Sequence, residues 1–403
     1  MLRFLTAGES HGKALNVIVD GLPSNLKISE DYINKQLKRR QFGYGRGTRM
    51  RIESDTVKIL SGVRFGKTLG SPVSMLIENR DWNNWQEIMS INPVNKMMDK
   101  ISIPRPGHAD LVGVTKYNFD DIRNSIERSS ARETAARVAA GTIARKLLQE
   151  FGITIGSFVE SIGGIYPENN YTEKLFNNKL PVNFSAQSLS DRSDKSLVRV
   201  LESEQENKII RKIKSAKKNG DTLGGTFITL ATGVSVGLGS FMNYDTKLDA
   251  EIAQSFMSIN AVKAVEIGEG FLLAEKPGSK SHDEIILKND SFGRKTNRAG
   301  GIEGGVSTGL PIIVRAAMKP IATLMSPIES VDLSTMKKVD ARRERSDFVA
   351  VPACAVIAES MLALSIAKFF LQKFGGDSME ELIDNYRSYN KKLFSRVKNN
   401  FKS

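Results

Sequence analysis

Cysteine occurs once in 403 residues, as Cys354, histidine three times, as His11, His108 and His282, and tryptophan twice. A single cysteine excludes an intrachain disulfide and any thiolate metal cluster, and points to a cytoplasmic setting. The histidines form no HxxxH or HExxH pair and no dense carboxylate cluster joins them, so no metal site is read. A run of about 18 apolar residues, the signature of a bilayer span, is not found. The opening MLRFLTAGESHGKA lacks the apolar segment and cleavage site of a signal peptide. No fixed repeat of about 20–50 residues is evident, which argues against a solenoid.

What is present is a basic chain of ordinary globular composition, with formal net charge +13. Much of the excess lies in KIIRKIKSAKK (208–218) and KKLFSRVKNNFKS (391–403), whose helical spacing places Lys on an outer face. β-branched alternation and flanking glycines predict strands at 14–20, 56–60, 72–78, 223–232 and 305–316. Helical periodicity predicts helices at 30–40, 130–150, 204–218, 247–258, 350–373 and 378–397, the first with Ser29 as N-cap. The expectation is a single α+β domain over residues 1–403. Surface insertions are placed near 79–103, which holds both tryptophans, and at the polar stretch 167–196, with a basic C-terminal helix at 378–403.

Two histidines sit in glycine-bearing loops with charged neighbours, GESHGKA (8–14) and RPGHAD (105–110). Glycine lets backbone approach a ligand closely, and imidazole suits proton transfer near neutral pH. His282 follows a Pro-Gly turn and reads equally as surface or site. KRRQFGYGRGTRMR (38–51) holds five Arg, one Lys and no acid, interleaved with glycine. Arg grips phosphate and carboxylate in bidentate fashion, so this stretch fits a compact polyanion as readily as a nucleic-acid backbone. In RSSARETAARVAAG (128–141), Ser130 and Glu133 fit a capping box, and the small residues beyond permit close packing. The helix start between Arg128 and Arg132 also suits an anion. Farther on, GGIEGG lacks the strand–turn–helix setting of a dinucleotide fold. Lys319 stands on a turn before Pro320, and Arg345 and Asp347 in RERSD share one face of an extended segment.

Together GESHG (8–12), RPGHAD (105–110), ERSSARETAARVAAG (127–141), INAVKAVEIGEG (259–270), AGGIEGG (299–305) and RSDFVAVPA (345–353) resemble the chorismate synthase family, from residue 1 to about 370. The resemblance implies a β-α-β sandwich with helices between antiparallel sheets, assembled as a homotetramer. The implied reaction is anti-1,4-elimination of phosphate from 5-enolpyruvylshikimate 3-phosphate, giving chorismate, with reduced FMN (FMNH2) required and no net redox change. By motif, Arg128, Ser129, Ser130, Asn260, Ala261, Gly304, Lys319, Pro320, Ile321, Ala322, Thr323 and Arg345 are implied to contact FMN. Arg40 and Arg46 match NADP positions, and with Arg49, Arg132 and Arg105 are implied to neutralise the substrate's phosphate and carboxylates. His11 is implied to protonate the departing phosphate, His108 to assist protonation at the flavin, and Asp347 to help remove the C6 proton. Some relatives carry His where this chain has Ser346. NADPH is a possible reductant of the flavin, and an external flavin reductase is the implied partner; neither nucleic acid nor membrane is expected. A nucleic-acid binder is the less favoured alternative, since no helix-turn-helix or zinc pattern accompanies the arginines. The other alternative is a flavin oxidoreductase with net hydride transfer.

Overall fold

The computed structural model describes residues 1–46, 54–95, 98–181, 184–288, 291–343 and 347–400. Alternating apolar residues build a first antiparallel sheet from β1 (Arg3–Ala7), β2 (Ala14–Asp20), β3 (Val57–Ser61) and β4 (Val73–Glu78), in the order β1-β2-β4-β3. A second has the order β5-β6-β8-β7, from β5 (Thr154–Ile162), β6 (Gly225–Thr232), β7 (Val262–Ile267) and β8 (Ile312–Met318), again antiparallel throughout. Between the sheets lie α1 (Glu30–Gln41), α4 (Thr134–Gln149), α7 (Leu248–Met257) and α8 (Val351–Phe374). The helix layer explains why α4 and α8 are almost wholly buried and rich in Ala. A Cβ on Gly141 would lie 2.4 Å from the Ser360 Cβ and 2.6 Å from its Cα, so the two helices meet backbone to backbone. This is the β-α-β sandwich expected of an α+β chain.

Several expectations are corrected. By length and composition α8 is apolar enough to cross a membrane, with mean hydropathy 1.8, although no such run was read in the sequence; 89% of that window is buried in the protein. It is the core helix. The strand expected over 305–316 is two, Val306–Ser307 and β8, interrupted at Thr308–Pro311. Residues 167–196 form more than a surface loop. Leu175, Phe176 and Ala186, borne on Tyr171–Phe176 and α5 (Ala186–Ser193), pack on Phe158, Ile228, Leu230 and Ile313 and cover the outer face of the second sheet. The helix expected from 130 begins with a 3-10 turn, Ala131–Glu133, before α4. Ser130 does cap, accepting from the Arg132 N–H, but Glu133 does not reach back. It accepts from Thr6 Oγ1 at 2.6 Å and pairs with Arg137 instead.

Candidate active site

The β1–β2 turn presents His11. Its backbone N–H donates to Glu127 Oε2 at 2.7 Å, and its Nδ1 lies 2.8 Å from Glu127 Oε1. Glu127 is buried on α3 (Arg123–Ser129), whose carbonyl at that residue also takes the Ser10 N–H. The Trp85 indole stacks on the imidazole, 3.8 Å between centroids at 23°. Ser130 donates to Ser10 Oγ at 3.1 Å, while Arg128 spans to the carbonyls of Thr6 and Gly8. Ser129 donates to the Ser125 carbonyl.

Beside it lies an arginine group. Arg40, at the end of α1, is buried and bonds Thr134 Oγ1, the Ala131 carbonyl and Asp55. Asp55 also pairs with Arg132, whose Nε donates to Asn79 Oδ1 at 3.0 Å; Asn79 in turn donates to the Gly12 carbonyl behind His11. Arg46 pairs with Asp347 at 3.1 Å, and its buried Nε has no hydrogen-bond partner. Burial pushes the Arg40 guanidinium down to about 10; Asp55 opposes the shift, and Arg46 and Arg132 add to it. The three guanidinium groups crowd around two carboxylates, Asp55 and Asp347. An anion placed among them relieves that repulsion. Arg49 and Arg345 lie outside the described residues.

The third group is centred on His108. Its Nδ1 meets Asp110 Oδ1 at 2.5 Å, and Arg105 grips the same carboxylate through Nε and Nη2 at 2.8 and 3.0 Å. Burial favours the neutral acid, but the His108 and Arg105 hydrogen bonds and the Arg105 charge outweigh it and hold Asp110 well below the usual carboxylate range. Arg105 also donates to Thr323 Oγ1, and Lys319 Nζ to the Gly107 carbonyl, so the turn Lys319, Pro320, Ile321, Ala322, Thr323 after β8 packs on the His108 loop. The Lys319 N–H bonds the carbonyl of Ala261, a residue held at φ +66°. Asn260 donates to the Ser129 carbonyl at 3.0 Å, which ties this group to α3, while its own buried Oδ1 has no partner. Non-glycine residues held at positive φ concentrate at functional sites.

Thus the structure joins His11, Ser130 and Arg132 in one network, through Asn79 and Ser10, and links His108, Arg105, Thr323, Lys319, Ala261, Asn260 and Ser129 in another. Gly304 stands apart in the turn between Ile302–Glu303 and Val306–Ser307, and among the described residues no hydrogen bond joins it to these groups. His282 ends a short helical turn, Gly278–Ser281, and lines a separate cleft with Lys276, Asp283 and Glu303. Among the described residues no cluster of three or more His, Cys, Asp or Glu could hold a metal. Asp55, Asn79, Trp85, Asp110 and Glu127 were not picked out from sequence. Asp110 and Glu127 lie inside motifs already quoted, two residues after His108 and one before Arg128; Asp55 and Asn79 carried no local signal.

A family model described as chorismate synthase matches residues 2–371. Chorismate synthases of Chlorobaculum tepidum and Enterococcus faecalis are 52% and 49% identical, covering 98% and 96% of this chain and 99% of each relative. A solved structure titled "Crystal Structure of Chorismate Synthase" superposes with TM-score 0.78 at 42% identity, covering 98% of both chains. The chain belongs to the chorismate synthase family.

Proposed function

We propose that this carbon–oxygen lyase eliminates phosphate from 5-enolpyruvylshikimate 3-phosphate at the site described, with reduced FMN bound beside the substrate. The observation that carries the reading is the group Arg40, Arg46 and Arg132, whose Arg132 reaches the His11 loop through Asn79, together with two histidines that are each paired with a buried carboxylate. A flavin mononucleotide fits the residues present. Asn260 Oδ1 is a buried acceptor in want of a donor, and Lys319 and Arg128 supply charge suited to a phosphate. Ser129, Ser130, Ala261 and the 319–323 turn complete the proposed contacts. Reduced flavin, when bound, supplies electron density as phosphate leaves and recovers it as the C6 hydrogen is lost.

The chain's own groups then have separate tasks. Arg40, Arg46 and Arg132, with Arg49 and Arg105, neutralise one phosphate and two carboxylates; charge-assisted bonds of this kind are roughly twice as strong as neutral ones. His11 gives its Nε2 proton to the departing phosphate. Asp347 accepts the C6 proton once the substrate's anion competes for Arg46. Asp110 and Arg105 orient His108, which holds a proton for the flavin side. A homotetramer in the cytoplasm, with electrons from NADPH arriving through an external flavin reductase, completes the reading. Anaerobic incubation with substrate and reduced FMN, scoring phosphate and chorismate, tests it. Stoichiometric release of both is expected, with essentially none in oxidised FMN; absence of phosphate release with reduced FMN would refute the reading.

A further inference from the structure

His11 is held more tightly than proton donation alone requires. The buried Glu127 carboxylate meets two nitrogens of this one residue: it accepts the backbone N–H on Oε2 at 2.7 Å, and its Oε1 lies 2.8 Å from the ring Nδ1. Its side chain is 2% exposed and that of His11 16%, so little water competes for these bonds. Trp85 fixes the ring from its face, and the indole is itself tethered by Nε1 donating to Asp81 Oδ2 at 2.8 Å. An ionised carboxylate has acceptors only, so the nitrogen that faces Glu127 Oε1 has to be the donor. Nδ1 must therefore carry a proton in either charge state of the ring.

We infer that Glu127 is a positioning residue that locks His11 in the Nδ1–H tautomer, making Nε2 the only ring nitrogen able to exchange a proton with the departing phosphate. The inference rests on the role proposed for His11 above. In the step, the Nε2–H bond breaks and an O–H bond forms on the phosphate oxygen. The ring is left neutral with Nδ1–H still donating to Glu127, so no hydrogen bond is lost as charge leaves. Carboxylates buried behind catalytic histidines act in this way, and supplying the wrong tautomer there costs several orders of magnitude in rate.

Glu127→Gln tests this sharply. An amide offers one acceptor and one donor group, and the His11 backbone N–H must take the acceptor. The NH2 then faces Nδ1, which becomes an acceptor and drives the proton to Nε2. Imidazole 15N spectra of histidine-labelled protein report the tautomer directly, and the three histidines are assigned with His108→Gln and His282→Gln. The expected result is Nδ1–H in the natural chain and Nε2–H in the variant, with kcat lowered by about 10²–10⁴-fold and KM changed by no more than a few-fold. Trp85→Leu, which keeps the pair, should retain the Nδ1–H tautomer and lose about tenfold in kcat. An unchanged tautomer in Glu127→Gln overturns the inference whatever happens to turnover. An inverted tautomer with undiminished kcat would uphold the pair and remove His11 from the proton-transfer role instead. Should Glu127→Gln fail to fold, Glu127→Asp, too short to reach both N–H groups, must show a mixed tautomer or the inference fails.

Discussion

Arg39 and Arg40 are consecutive on α1 and enter two different arginine groups. Arg39 turns into the helix layer, where its Nη1 and Nη2 reach Glu359 at 2.7 and 2.9 Å and its Nε reaches Asp194 at 2.6 Å. Arg145 at 2.6 Å and Arg199 at 3.2 Å grip the same glutamate, which Ser157 and Ser190 also donate to. Burial would raise the Glu359 carboxyl, but the three guanidinium groups hold it well below the usual range. Arg40 turns the other way, to Asp55, which also pairs with Arg132, with the Arg46–Asp347 pair beside it. Unpartnered Nε groups occur in both sets, on Arg145, Arg199 and Arg46, so the contrast lies in how the central carboxylate is held: three guanidinium groups grip Glu359, and two grip Asp55. Both central carboxylates are 1% exposed, and each group has a more open pair at its edge, Arg39–Asp194 in the first and Arg46–Asp347 in the second. The first group clamps α1, α4, α8 and β5 together; the second is tied through Asn79 to the His11 loop, and under the proposed function it gains from an added anion.

The largest effect expected is from Glu359→Ala, which strands three buried guanidinium groups. Breaking a buried pair in this way costs about 3–5 kcal/mol, read as a fall in the denaturant midpoint. A variant with an unshifted midpoint would break the comparison. Asp55→Asn should cost about 1–3 kcal/mol without ligand, and millimolar inorganic phosphate should recover part of the loss in Tm, since it binds the folded state alone. The same phosphate should do nothing for Glu359→Gln. Equal rescue of both variants would erase the distinction between them.

A third expectation concerns pH. The Glu359 carboxyl is depressed in the folded chain, so its contribution is complete above the unfolded value of 4.5 and is lost progressively as pH falls below it. Stability measured from pH 6 down to about pH 3 should therefore decline more steeply in the natural chain than in Glu359→Gln. Parallel curves would show that the clamp contributes nothing through its charge.

Much of this architecture was legible in sequence, and the failures have identifiable causes. Helices α1, α7 and α8 were placed within a residue or two because apolar spacing and end residues agreed, with Ser29 accepting from the Tyr32 N–H as expected. Strand β5 was missed because it is buried on both faces and so lacks alternation, and β1 because five residues at a terminus carry little pattern. The reciprocal arm of the capping box failed because Glu133 is drawn to Thr6, 127 residues away. Local spacing also could not divide Arg39 from Arg40. A helix turns about 100° per residue, and only the tertiary contacts decide which direction is core and which is site. The histidine loops were readable from composition, but their carboxylate partners were fixed by packing.

The most direct measurement is a side-by-side assay of Arg46→Lys and Arg145→Lys, scoring anaerobic phosphate release with reduced FMN alongside the unfolding midpoint. Lys keeps the charge but loses the guanidinium fork. Arg46→Lys is predicted to raise KM by about 10–100-fold, a loss of about 1.4–2.7 kcal/mol in binding, with stability within about 1 kcal/mol of the natural chain. Arg145→Lys is predicted to lower stability, read from the midpoint, by about 2–4 kcal/mol, with KM changed less than threefold in the fraction that remains folded. The reverse pattern, a stability loss at Arg46 and a KM effect at Arg145, would contradict the assignment of one group to the fold and the other to the substrate.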